Sequence, residues 1–131
     1  MTDPTIALLK DLVAIDSVNP SLVAGGAGEG AMAERLAAEL RAARIDVQVS
    51  AVAPGRPNVY GVIESGRPGP SLMLCGHSDT VGVEGMAAPF DPVVRDGKLF
   101  GRGAQDMKGG VAAILAAARR LASSPEGWPA E

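Results

Sequence analysis

Two short stretches carry residue types able to do chemistry. The first is Leu74-Cys75-Gly76-His77-Ser78-Asp79-Thr80-Val81. A histidine is a common metal ligand and titrates near neutral pH. Asp79 follows two residues on, and in extended chain residues so spaced share one face. A carboxylate placed there can accept the free ring N–H of His77, fix its tautomer and make the other nitrogen a better ligand. A lone histidine is more often a surface or hydrogen-bonded core residue, so the case for a site rests on its pairing with Asp79.

The second stretch is Gly101-Arg102-Gly103-Ala104-Gln105-Asp106-Met107-Lys108-Gly109-Gly110. Its glycines suggest a phosphate loop, but the spacing fails. A dinucleotide fingerprint needs glycine where Asp106 stands, and a Walker loop needs glycine immediately before Lys108, where Met107 stands. Two readings of Asp106 stay open. It is either a helix cap in a glycine-rich turn, or a carboxylate aimed inward by a tightly bent backbone. In the second case its two oxygens could bridge a pair of divalent cations about 3.5–4 Å apart.

The other reactive side chains carry less. Cys75 reads as a small core residue of its strand. Lys108 and Arg102 read as solvated charges before substrate clamps, and Asp91 and Asp96 as turn residues. Met86 and Phe90 could line a pocket or simply pack.

These residues need elements to position them. Asp3-Pro4 opens a helix, with Asp a good N-cap and Pro tolerated at the first helical position. Ile6, Leu9, Leu12 and Val13 continue it toward Asp16, and Ser17-Val18-Asn19-Pro20 ends it. After a glycine-rich loop over 25–30, Met32, Leu36, Leu40 and Ala43 mark a second helix. Ile45, Val47 and Val49 alternate with polar residues as in a half-buried strand, and 58–63 forms another. Ser71 to Cys75 reads as a strand covered on both faces, which would put His77 at a strand's carboxyl end, where ligands gather in open α/β sheets. Asp96-Gly97 between apolar flanks predicts a hairpin over 93–100. A last helix runs from about Lys108, with Val111, Ile114, Leu115, Ala118 and Leu121 on its apolar side, and Ser123-Ser124-Pro125 stops it. The alternation of helices and strands points to a layered α/β unit.

Composition narrows the class further. The chain has 131 residues, 47% hydrophobic and 21% charged, which is a globular make-up of one-domain length. Aromatics are only 3%, so Ala, Val, Leu and Ile must fill the core. Twelve basic residues face fifteen acidic ones, for a formal charge of −3, and no basic stripe invites nucleic acid. No apolar run approaches the ~20 residues that span a bilayer. The amino terminus lacks the pattern of a secretory signal, and the single cysteine cannot form a bridge within the chain. A cytoplasmic protein without membrane or nucleic-acid partners fits these features.

Taken together, His77-Ser78-Asp79-Thr80-Val81, Asp96-Gly97-Lys98-Leu99-Phe100-Gly101-Arg102-Gly103 and Asp106-Met107-Lys108-Gly109 closely resemble the zinc-dependent amidohydrolase and exopeptidase family. That family contains acetylornithine deacetylase, succinyl-diaminopimelate desuccinylase, aminoacylase and glutamate carboxypeptidase. The resemblance runs from the first helix to about Leu121, and the step from His77 to Asp106, with a hairpin between, is more specific than either motif alone.

The resemblance implies a fold and a site. The fold would be the amino-terminal part of a layered zinc-exopeptidase-like catalytic domain, spanning 1–131, with a mixed sheet packed with helices and no second domain. His77 would be a ligand of one zinc, Asp79 the catalytic-site carboxylate that orients it, and Asp106 the bridge between two zincs, with cobalt an acceptable substitute. A cis peptide would join Asp106 to Met107. The substrate would be a small N-acyl amino acid or peptide, with the loop over 85–92 closest to the acetylornithine and succinyl-diaminopimelate branch, and the full-length form could be a homodimer. Members of the family are much longer, and supply a general-base Glu, further acidic ligands and a final His downstream. Nothing after Leu121 provides these, and His77 is the only histidine. By itself the chain would therefore be inactive. A truncated, non-catalytic fragment or interaction module retaining half the metal site is the alternative. Trp128-Pro129-Ala130-Glu131 would stop where the next strand begins, leaving an unpaired sheet edge.

Overall fold

The computed structural model of the chain describes residues 3–124. Three helices surround one small aliphatic core. Helix α1 (Pro4–Val13) starts as its sequence dictates: the Asp3 carboxylate accepts from the Thr5 N–H at 2.7 Å, and Pro4 occupies the first helical position. Helix α2 (Gly30–Ala42) and helix α3 (Gly109–Ala122) are rich in alanine and leucine, the residues that lose least on becoming helical. Leu8 and Leu12 of α1, Met32 of α2, and Val111, Ala112 and Leu115 of α3 form the buried cluster, against which Leu9, Ile15, Leu36, Leu40 and Met107 pack. The core is aliphatic, as the scarcity of aromatics requires. The expected stop of α3 at Pro125 and the edge near Trp128 fall outside the described residues.

The fold is α/β, and its described strands form two separate antiparallel pairs. Strand β1 (Asp46–Ala53) pairs with β2 (Arg56–Val62), and the hairpin lies on α2. Gly61 of β2 lets Leu40 come close, since a Cβ there would stand 3.2 Å from both Leu40 methyls. Pro57 falls inside β2 instead of before it. A two-stranded sheet has free edges on both sides, so a residue without an N–H is tolerated. Strands β3 (Val93–Arg95) and β4 (Lys98–Phe100) form the hairpin expected around Asp96-Gly97. Asp96 and Gly97 have φ of 50° and 72°, the two positive values that a type I′ turn needs. Among the described residues, parallel pairing is confined to one bridge, Val18 to Thr80, so there the mixed sheet is present only in this rudimentary form.

One expected element does not form. The run from Ser71 to Cys75 is not a strand: Leu72 and Met73 are 82% and 84% exposed, and Cys75 is exposed instead of buried in a core. An apolar run becomes a doubly covered strand only when neighbouring strands and helices cover it. Among the described residues none pairs with it. No described helix is long and apolar enough to cross a membrane.

Candidate metal centre

Since 71–75 is not a strand, other contacts place His77. Its backbone N–H donates to Sδ of Met107 at 3.4 Å, and Met107 itself packs on the core. Three residues further on, Thr80 is clamped to the segment that follows α1. The Thr80 N–H donates to the Ser17 carbonyl and its carbonyl accepts from the Asn19 N–H, each at 2.9 Å. His77 and Asp79 are thus held between the core and the 17–19 segment.

Asp106 is delivered by a wide turn of π type over Ala104–Lys108, closed by the Lys108 N–H on the Gly103 carbonyl at 2.9 Å. Such turns cluster at functional sites. Asp106 has φ −122° and ψ 99°, outside helical values, and its peptide to Met107 is cis. Its side chain makes no capping bond to α3, so the helix-cap reading is set aside. Gly103, at φ 79°, cannot carry a side chain: a Cβ would stand 2.7 Å from Cγ2 of Thr80.

The three side chains meet. Nδ1 of His77 lies 3.1 Å from both the Asp79 carbonyl and its Oδ1, and Nε2 lies 2.9 Å from Oδ1 of Asp106. Carbonyl and carboxylate oxygens only accept, so each ring nitrogen faces an acceptor: a protonated ring donates from both, a neutral ring from one. With the proton of a neutral ring on Nδ1, Nε2 is an acceptor facing the carboxylate of Asp106. Two acceptors at that separation need a cation between them, either a proton or a metal ion. The pKa of His77 is raised accordingly. The hydrogen bond to Asp106 contributes most, partial burial opposes it, and the Asp79 carbonyl and carboxylate add to it. Burial pushes the Asp79 carboxyl up, yet its pKa is lowered by the side-chain hydrogen bond from Asn19 and the charge of His77.

The donor set can be tested against zinc. Two ligands of one tetrahedral zinc, each at about 2.0–2.1 Å, stand about 3.3 Å apart. The observed 2.9 Å is a hydrogen-bond separation, which opens by a few tenths of an ångström if the Asp106 carboxylate rotates. That carboxylate is 85% exposed and free to do so. Imidazole and carboxylate are suitable zinc donors, so the pair fits the ion as two ligands. No group of three or more His, Cys, Asp or Glu able to hold a metal occurs among the described residues.

The structure also revises three side chains. Lys108 is fully buried, not solvated. Its Nζ donates to the Ile15 carbonyl at 2.6 Å and lies 6.0 Å from the centroid of Phe90. Burial lowers its pKa to about 8, with Asp16 opposing. Phe90 therefore packs against a buried ammonium. Arg102 is half-buried and its Nε has no hydrogen-bond partner.

Asn19 was legible in the sequence only as a helix breaker. Its Nδ2 donates to Oδ2 of Asp79 at 2.7 Å, and its Oδ1 accepts from the Ser21 N–H at 2.8 Å. Arg56 of β2 holds the same loop, donating to Oγ of Ser21 at 2.9 Å and gripping the buried Glu29 with Nε and Nη2. No local pattern announces a contact between residues sixty positions apart.

The chain is similar to known proteins. A family profile described as peptidase family M20/M25/M40 matches residues 73–129, the stretch that contains His77, Asp79 and Asp106. A succinyl-diaminopimelate desuccinylase of Gluconacetobacter diazotrophicus is 38% identical over 127 residues, covering 92% of this chain and 31% of the relative. One from Methylobacterium radiotolerans is 41% identical over 123 residues, covering 88% and 29%. A third, from Xanthomonas campestris pv. campestris, is 39% identical over 137 residues, covering 96% and 32%. The chain matches no more than 32% of the length of these curated relatives.

Proposed function

We propose that this chain, which matches peptidase family M20/M25/M40 over residues 73–129, is the amino-terminal, metal-holding portion of a di-zinc hydrolase. The whole protein would cleave the amide bond of a small N-acyl amino acid. The names of the relatives favour a succinylated amino acid as the substrate class. In this reading His77, through Nε2, and Asp106 would hold the metal. Asp79 keeps the His77 proton on Nδ1, which leaves Nε2 free to ligate. Zinc, when bound, polarises the scissile carbonyl and brings the pKa of a water toward about 7.

One observation carries the proposal: Nε2 of His77 and Oδ1 of Asp106 converge at 2.9 Å, and with the His77 proton on Nδ1 the pair can hold a cation. The test is a zinc titration of this chain against a chromophoric chelator, with His77→Ala and Asp106→Ala beside it. Weak binding in the parent chain, reduced at least tenfold by either substitution, is the expected result. Binding that His77→Ala leaves unchanged would sink the metal reading. In the full-length protein either substitution should abolish amide hydrolysis.

A second reading is favoured by a specific observation. Only two ligands converge among the described residues, and the other acidic group beside them, Asp79, is engaged by His77 and Asn19. A non-catalytic module that keeps half of the site would have this set. Full-length protein that binds zinc but hydrolyses no N-acyl amino acid would establish it over the hydrolase.

A further inference from the structure

The Asp79 carboxylate is gripped from both sides. Oδ1 faces Nδ1 of His77 at 3.1 Å, and Oδ2 accepts from Nδ2 of Asn19 at 2.7 Å. The Asn19 amide cannot rotate freely, because its Oδ1 is engaged by the Ser21 N–H at 2.8 Å. The backbone is equally constrained. Asn19 precedes Pro20, which restricts it to extended conformations, and its N–H is bonded to the Thr80 carbonyl at 2.9 Å. Arg56 ties the loop to β2 through Ser21. A rigid donor is therefore aimed at the one carboxylate oxygen that His77 does not use.

We propose that Asn19 is a positioning residue, whose side-chain amide locks the Asp79 carboxylate onto Nδ1 of His77 and so presents Nε2, unprotonated, toward Asp106. Its functional meaning rests on the metal-site reading above. The mechanism is geometric. A carboxylate on a single rotatable side chain can turn away from the ring, and a bond to its far oxygen removes that freedom. The Asp79 main-chain carbonyl also accepts from Nδ1, but a neutral acceptor is weaker than a charged one. Without the oriented carboxylate the ring loses most of its preference for the Nδ1–H form.

The chain has one histidine, so long-range ¹H–¹⁵N spectra of the ring report His77 alone. The spectra are recorded on the full chain, parent and Asn19 variants alike also carrying Asp106→Ala to remove the acceptor that faces Nε2, with a chelator present, at a pH where the ring is neutral. Two variants separate positioning from loop structure. Asn19→Ser keeps a side-chain oxygen that can accept the Ser21 N–H, so the loop turn survives, and loses the amide donor to Asp79. Asn19→Ala loses both. The expected result is a parent ring mostly in the Nδ1–H form, with the ratio of Nδ1–H to Nε2–H falling about tenfold in both variants, as the loss of one charge-assisted bond implies. A parent ring mostly in the Nε2–H form would overturn the proposal. So would a ratio that Asn19→Ser leaves unchanged, whatever Asn19→Ala does. Zinc titration of the parent and of His77→Ala runs in parallel. Failure there removes the metal reading and leaves the tautomer result to decide the role of Asn19 separately.

Discussion

Nε2 of His77 and Oδ1 of Asp106 lie 2.9 Å apart although 29 positions separate them in the chain. The contact holds the His77 pKa above its ordinary value of 6.5, with Asp106 the largest cause. Asp106→Asn should therefore bring that pKa down, as read from the ring-proton shift of the sole histidine in metal-free buffer. The sign for stability follows from linkage. A raised folded-state pKa contributes stability that is fully present below the unfolded value and is lost as pH rises through the folded one. With a ring 45% exposed the contribution is small. An unchanged pKa in Asp106→Asn would show that the two side chains do not interact in solution.

Lys108 makes a second, opposite prediction. Its pKa falls to about 8 because burial disfavours the ammonium, whereas the unfolded chain keeps a value near 10.4. Between those limits the unfolded state binds more protons, so stability rises with pH, by about 3 kcal/mol in all. Lys108→Met keeps the side chain's length and removes the titrating group. Denaturant unfolding of the metal-free chain across pH 8 to 10 should show the rise in the parent and a flat profile in the variant. A parent profile as flat as the variant's would mean that the ammonium is hydrated.

Two leucines test where the core lies. Leu12 is fully buried in the helical cluster, so Leu12→Ala should cost about 2–5 kcal/mol by denaturant unfolding. Leu72, in the exposed run before the site, should tolerate the same change within about 0.5 kcal/mol. A large loss from Leu72→Ala would restore the buried strand that its sequence suggests.

How far the fold was legible depends on the range of the interactions involved. The caps, periodicity and turn chemistry are local, so Asp3-Pro4 marked α1 and Asp96-Gly97 marked the β3–β4 hairpin from sequence alone. The α/β class followed from their order. The apolar run at 71–75 misled, because hydrophobicity records a capacity to be covered and not the presence of a cover.

The residue types of the candidate site, His77, Asp79 and Asp106, and the class of chemistry open to them are present in the sequence alone. Histidine and carboxylate side chains bring their ligating and proton-holding capacity wherever they are placed. Only the tertiary structure decided which atoms meet. It set Nε2 against Asp106, turned Nδ1 to Asp79, buried Lys108 beneath the Ile15 carbonyl and brought Asn19 to Asp79. These contacts join positions up to 93 residues apart. Their geometry is set by how the helices pack and where Thr80 is bonded to the 17–19 segment, which no local pattern of residues encodes.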